Sequence, residues 1–134
     1  MVKGIIIYLA IDYGRSKLGL AIATTLLAEP YKVIRYKKEE DGVEKIKGVV
    51  EEEKVERVVL GVSEGEMAKE IKEFGEKLKK SLSVPIVYQD ETLTTQDAQR
   101  LSIKSGMKRK KRKEMEDAFA ACLILQSYLD NQIS

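Results

Sequence analysis

Two short apolar runs, separated by a polar turn, begin the chain. Residues 5–11 are almost all β-branched, aliphatic or aromatic, a pattern typical of a strand that is covered on both faces. Residues 18–23 form a second apolar run of strand length. The turn between the runs contains Gly14, Arg15 and Lys17. The pattern therefore predicts a β-hairpin with a basic turn.

Further along the chain, the apolar spacing alternates between the strand period and the helix period. The predicted elements are a strand from Pro30 to Tyr36, a helix opened by Asp41-Gly42, a strand over residues 56–62, a helix over 67–82, a strand at 86–88, a helix capped by Thr94 or Thr95 and stopped by Gly106, and a last helix from the basic block to about Leu129. This order predicts an α/β fold with a five-stranded mixed sheet. Its first three strands are antiparallel, its later strands are parallel, and helices cover both faces. We expect residues 1–134 to form one domain.

Asp12 ends the first apolar run, where the strand leaves the core. Burying an unpaired carboxylate would cost several kcal/mol, so Asp12 must be solvated, paired with a cation or bound to a metal. Position alone favours an aspartate that forms the turn. However, sites in such sheets form at the carboxyl ends of the parallel strands, and Asp90-Glu91 ends the last strand. The shared sheet rim therefore favours a functional role for Asp12.

A third acid comes from the last helix, which contains Glu116-Asp117 just before an apolar stretch. Asp117 shares a helix face with Ala121 and Ile124, and small neighbours would allow this face to lie close to the sheet. Alternatively, the two acids offset the helix dipole or pair with nearby lysines. Carboxylates from two strand ends and a helix would form an all-oxygen site suited to Mg²⁺ or Mn²⁺. Such ions support phosphodiester hydrolysis.

The composition limits the available chemistry. The chain has no histidine, which excludes the commonest general base and the usual zinc ligand. Its one cysteine, Cys122, excludes an intramolecular disulfide and suits a reducing compartment. The first apolar run is too short to span a membrane. We therefore expect a cytoplasmic protein that does not bind membranes.

The positive charge is concentrated in one block. The formal net charge of +2 is the sum of +6 in residues 108–113 and −4 in the rest of the chain. Such a block either stays solvated because its charges repel one another, or binds the phosphates of a nucleic acid. The candidate nucleic-acid contacts in the block are Lys108, Arg109, Lys110, Lys111, Arg112 and Lys113.

Four motifs occur in a specific order over nearly the whole chain. They are Asp12-Tyr13-Gly14 with the following Gly19-Leu20-Ala21-Ile22-Ala23, then Val59-Leu60-Gly61, then Asp90-Glu91-Thr92-Leu93-Thr94-Thr95, and finally Asp117-Ala118-Phe119-Ala120-Ala121. With these motifs the chain resembles the YqgF, or RuvX, group of Holliday-junction-resolvase-like proteins in the RNase H-like superfamily. The resemblance implies an RNase H-like fold and nuclease activity. It also implies that Asp12, Glu91 and Asp117 are the catalytic and metal-binding residues.

The chain departs from the family pattern at several expected contacts for phosphate. Ser16-Lys17 replaces a Lys-Arg pair, Thr92 replaces an arginine, and the loop from Ser63 to Glu66 is short and lacks a proline. A lysine cannot reproduce the bidentate fork of arginine. We expect Arg15, Lys17, Arg100 and the basic block to supply the remaining contacts.

The resemblance implies a nuclease that processes the 5′ end of the small-subunit ribosomal RNA precursor, with structured RNA and ribosomal precursor particles as partners. The first alternative is resolution of four-way DNA junctions, which generally needs a two-fold symmetric dimer. The second alternative is a catalytically silent RNA-binding or ribosome-assembly factor. Both a monomer and a homodimer are compatible with the sequence.

Overall fold

The computed structural model describes residues 6–63, 65–91 and 95–133, without the side chains of residues 95–99 and 133. Its elements are β1 (Tyr8–Tyr13), β2 (Lys17–Ala23), β3 (Glu29–Arg35), α1 (Glu39–Glu52), β4 (Arg57–Val62), α2 (Met67–Ser81), β5 (Ile86–Asp90), α3 (Thr95–Lys104), α4 (Arg109–Glu114) and α5 (Glu116–Ile133). In these ranges no helix is both long and apolar enough to cross a membrane.

The five strands form one mixed sheet in the order β3-β2-β1-β4-β5. Strands β1, β2 and β3 pair antiparallel, whereas β4 pairs parallel with both β1 and β5. The sequence prediction of three antiparallel strands followed by parallel ones is therefore confirmed. The central strand, β1, lies between an antiparallel and a parallel neighbour.

The two faces of the sheet carry side chains of different size. One face presents large side chains to α1 and α2, among them Leu9, Ile11, Leu18, Leu20, Val58 and Leu60. The other face presents mainly small side chains to α5, among them Ala10, Ala21, Ala23 and Val59. Alternation along each strand produces this division. As a result, α5 can approach the sheet backbone more closely than a helix that packs on leucines.

Two glycines permit the closest approach of α5. A Cβ atom on Gly19 in β2 would lie 2.0 Å from the backbone oxygen of Asp117. A Cβ atom on Gly61 in β4 would lie 2.5 Å from Cδ1 of Ile124. Helix α5 therefore crosses the sheet from β2 to β4 and contacts the backbone of the sheet at both glycines.

The last helix differs from the sequence prediction. Instead of one helix from the basic block to about Leu129, the structure has α4 and α5, separated at Met115 with φ −99° and ψ 8°. Helix α4 has no buried residue, so no apolar surface holds it in line with α5. Helix α5, in contrast, packs against the face of the sheet that carries the small side chains.

Smaller differences occur at element ends. Helix α1 begins at Glu39 rather than at Asp41, because the N–H groups of Asp41 and Gly42 already donate to the Lys38 carbonyl. Strand β1 extends to Tyr13, so Asp12 lies within it rather than after it. Ile5 and the predicted cap residue Thr94 lie outside the described residues.

We predict that Gly19→Ala destabilises the protein by about 3 kcal/mol, because the new methyl group would overlap the α5 backbone, which has no space to move. The matched control is Gly48→Ala, at an exposed position in α1 where a Cβ atom would meet nothing within 4 Å. This control should stabilise by about 0.5–1 kcal/mol. Urea unfolding followed by circular dichroism measures both. Similar stabilities for the two variants would contradict the described contact.

Candidate active site

Asp12 lies at the centre of the candidate site, on β1. It pairs in register with Gly19 of β2, and it is two residues from Ala10, which faces α5. The alternation of side chains therefore places Asp12 on the α5 face of the sheet. Because Gly19 contacts the backbone of Asp117, the same register brings Asp12 beside the first turn of α5. The Asp12 side chain is half-buried.

Glu91 reaches the same place from the end of β5. Its N–H group donates to the Val62 carbonyl at 2.8 Å, so the parallel ladder continues one residue beyond the strand. Val87 packs with the α5 cluster, and Glu91, four residues later, projects to that face as well. Asp90 projects to the opposite face and is exposed. The pleat thus explains why Glu91, rather than Asp90, meets Asp12.

The environment strongly favours a protonated Asp12. Burial contributes most to raising the pKa of Asp12 to about 8, and the charges of Glu91 and Asp117 and a hydrogen bond with Glu91 also raise it. Lys17 acts in the opposite direction. Burial also raises the pKa of Glu91, although its hydrogen bond with Asp12 partly opposes the rise. Asp12 and Glu91 therefore form a coupled pair that retains a proton near neutral pH.

Asp117, the third predicted acid, is paired with Lys17. The Lys17 Nζ atom lies 2.8 Å from Oδ2 of Asp117, and both side chains are partly exposed. Lys17 is the first residue of β2, and α5 contacts this strand at Gly19. The sequence predicted Lys17 as a nucleic-acid contact, but its ammonium group neutralises an acid of the site in this structure.

The three acids fit a divalent metal in their chemistry. They offer only oxygen donors, which Mg²⁺ and Mn²⁺ prefer, and the charges of Glu91 and Asp117 both act on Asp12. However, among the described residues no three His, Cys, Asp or Glu side chains are arranged to enclose an ion. The Lys17 ion pair holds the Asp117 carboxylate, so Asp117 would have to exchange Lys17 for a metal. The metal-binding role of the three residues stays a prediction.

The other predicted cations have different surroundings. Arg15 forms a two-fold ion pair with Glu70 of α2, through Nε and one terminal nitrogen, each at 3.0 Å. Sequence reasoning missed Glu70, because nothing distinguishes it from other exposed glutamates of an amphipathic helix. Arg100 is exposed on α3. Thr92, which replaces an arginine of the family pattern, lies outside the described residues, as does Glu64 of the short loop.

The basic block lies beside a cavity that adjoins the start of α5. Lys108 precedes α4, and the other five basic residues lie within it. All six are exposed except Arg112, which is half-buried. The cavity has a volume of about 400 Å³ and is lined by Ser102, Ile103, Arg109, Arg112, Lys113 and Glu116. Sequence reasoning missed Ser102 and Ile103, which carry no chemical signal of their own.

A comparison with protein families identifies the chain. The family model described as "RuvX: Holliday junction resolvase" matches residues 6–131, a range that contains all three acids and the basic block. The chain belongs to this family. The resemblance predicted from the four motifs is therefore confirmed.

Curated relatives match this chain over nearly their whole length. One from Dictyoglomus thermophilum is 37% identical over 131 residues, which cover 92% of this chain and 94% of the relative. One from Caldanaerobacter subterraneus subsp. tengcongensis is 39% identical over 133 residues, covering 92% and 96%. Both carry the name "Putative pre-16S rRNA nuclease".

Two solved structures resemble this chain in fold. RuvC of T. thermophilus, in complex with a Holliday junction substrate, has a TM-score of 0.64 at 15% identity and 96% coverage of both chains. The Fowlpox virus resolvase, in complex with Holliday junction DNA, has a TM-score of 0.63 at 12% identity, with 96% of this chain and 100% of the resolvase covered. These similarities confirm the predicted RNase H-like fold.

We predict that Asp12→Asn stabilises the metal-free protein, and that the gain grows as the pH rises. The pKa of Asp12 is about 8 in the folded protein and 3.8 as its ordinary value, so the unfolded chain binds fewer protons between these limits. Ionisation of Asp12 in the folded protein therefore lowers the free energy of unfolding. This loss is absent below about pH 4 and fully present above about pH 8. Asparagine removes this loss, so the variant should gain roughly 2 kcal/mol or more in free energy of unfolding at pH 8 and much less at pH 5.

Urea unfolding in EDTA at pH 5, 6.5 and 8 measures the effect. Asp90→Asn, at the exposed position next to Glu91 on the opposite face of the sheet, controls for the amide substitution itself. A gain for Asp12→Asn that is the same at all three pH values would contradict the buried, coupled state of Asp12.

Proposed function

We propose that this protein is a metal-dependent endonuclease that hydrolyses phosphodiester bonds in structured RNA, with Asp12, Glu91 and Asp117 as ligands of Mg²⁺ or Mn²⁺. The observation that supports this proposal is the convergence of the three acids at one rim of the sheet, where Glu91 and Asp117 both raise the pKa of Asp12. The family and its curated relatives support nuclease function. The metal and the residue roles are inferred from the site.

A divalent cation bound there would supply an activated water and stabilise the leaving oxygen of the phosphodiester. The protein residues prepare the site for it. Asp12 and Glu91 retain a proton near neutral pH and must release it to act as ligands. Asp117 must leave Lys17 to join them, which frees the Lys17 ammonium group beside the site. We infer that Lys17 then contacts a phosphate oxygen, as the sequence predicted.

The substrate is inferred from the relatives and from the charge of the chain. The relatives' name points to the precursor of 16S ribosomal RNA, and the basic block suits a phosphate backbone. We therefore propose the 5′ end of pre-16S rRNA as the substrate and ribosomal precursor particles in the cytoplasm as the setting. Four-way DNA junctions are the second candidate, because the family description names a Holliday junction resolvase.

The first test is cleavage of a pre-16S rRNA fragment that retains its 5′ extension. In Mg²⁺ or Mn²⁺, Asp12→Asn, Glu91→Gln and Asp117→Asn should each reduce the rate about 100-fold or more, because each removes a ligand charge. Asp90→Asn, which projects to the opposite face, should cleave like the native protein. Equal cleavage by native protein and Asp12→Asn would sink the assignment.

A parallel assay with a four-way DNA junction separates the two substrates. A nuclease specific for RNA should leave the junction intact at protein concentrations that process the RNA fully. Symmetric cutting of the junction by a dimer would instead favour the resolvase. RNA binding without cleavage of either substrate, and without saturable Mn²⁺ binding, would indicate a catalytically silent binding protein.

We also predict that Lys17→Met tightens Mn²⁺ binding about five-fold or more, because it removes the cation that competes for Asp117. Lys17→Arg keeps the positive charge and should bind Mn²⁺ nearly as the native protein does. The control is Lys72→Met, which removes an exposed lysine on α2 at the other face of the sheet. Isothermal titration calorimetry on EDTA-treated protein measures the affinities. Unchanged or weaker Mn²⁺ binding by Lys17→Met would contradict the exchange.

A further inference from the structure

The cavity between α3 and the α4–α5 junction has the features of a binding site for one phosphate group. From its charge and shape we infer that Arg109, Arg112 and Lys113 form a phosphate-binding subsite for the backbone of the substrate, separate from the three acids. This inference rests on the proposed function only in taking a nucleic acid as the ligand.

Helical spacing divides the basic block into two sets. Arg109, Arg112 and Lys113 stand at spacings of three and four residues, which places them on one face of α4. They line the cavity together with Glu116, the first residue of α5. Lys108, Lys110 and Lys111 do not line it. The block is therefore not uniform, since three of its cations line the cavity and the other three are exposed outside it.

Arg112 is the member of the block that most needs a ligand. Its side chain is half-buried, and its Nε atom is buried with no hydrogen-bond partner among the described residues. A buried N–H group without a partner is costly. A phosphate oxygen would satisfy it, and the guanidinium group can bind two phosphate oxygens at once.

The remaining lining fits a nucleotide better than a free carboxylate. Among the lining residues that the structure describes, three cations face one carboxylate, that of Glu116, so these side chains carry a net positive charge. Its volume of about 400 Å³ lies within the range of small-ligand pockets. Ile103 is 61% exposed and provides an apolar wall for a sugar or base. These features together favour a phosphate with its attached nucleoside.

The position of the cavity links it to the acids. Glu116 lines the cavity, and Asp117, the next residue, forms the ion pair with Lys17. A phosphate bound at Arg112 would therefore hold the nucleic acid backbone near the first turn of α5. This subsite would position the substrate without contacting the reacting atoms.

The test measures RNA binding in the absence of cleavage. A fluorescein-labelled RNA hairpin with a single-stranded 5′ extension is titrated with protein in EDTA, and its anisotropy gives Kd. Arg112→Ala should raise Kd about ten-fold or more, and Arg112→Lys should raise it less, because it keeps the charge and loses the fork. The matched control is Lys110→Ala, which removes the same charge from an exposed position on α4 outside the cavity. It should raise Kd about two-fold or less.

A second measurement uses the native protein and so does not depend on the folding of a variant. In ¹⁵N-labelled protein, the Nε–H resonance of Arg112, assigned by its absence from Arg112→Lys, should shift saturably on addition of the hairpin. Equal losses of affinity for Arg112→Ala and Lys110→Ala, or an Nε–H resonance that does not move, would overturn the subsite. The binding test in EDTA is independent of the cleavage test in Mg²⁺ or Mn²⁺. A protein that binds RNA through Arg112 in EDTA but does not cleave RNA in the presence of metal would therefore refute the nuclease and leave the subsite intact.

Discussion

The contact between Gly19 and the backbone of Asp117 fixes the geometry of the candidate site. Helix α5 rests directly on β2 at this point, and Gly19 is the register partner of Asp12. One backbone contact therefore joins a strand acid to a helix acid without any side chain between them. The small-residue face of the sheet and the second contact at Gly61 allow the rest of α5 to follow the same close path.

Local patterns were enough to predict most of this fold. Apolar runs of strand length and helical spacing gave the mixed sheet, and the position of Asp12 and Asp90-Glu91 after such runs gave the shared rim. The break at Met115 was missed, because a basic segment and an apolar segment can share one helical period without sharing a packing surface. The pairs Lys17–Asp117 and Arg15–Glu70 were missed because partners far apart in sequence leave no periodic signal. The choice of Glu91 over Asp90 came from the family resemblance, and the pleat of β5 explains it.

Charge is arranged at two scales in this chain. At the rim, three acids lie near one cation, Lys17, and the pKa of Asp12 is raised first by burial and then by the charges of Glu91 and Asp117. Beside the rim, the cavity concentrates cations around Arg112, whose Nε atom has no hydrogen-bond partner in the part of the chain that the structure describes. The net charge of +2 hides both features. The basic side chains of α4 are thereby separate from the cluster of acids at the rim.

The absence of buried residues in α4 has an evolutionary consequence. Most mutations in a protein are limited by their effect on folding, but a six-residue segment that adds nothing to the core escapes this limit. Selection can change the cations of α4 while the acid-bearing start of α5 stays fixed by its glycine contact. The charge pattern of α4 can therefore diverge between relatives without loss of fold stability.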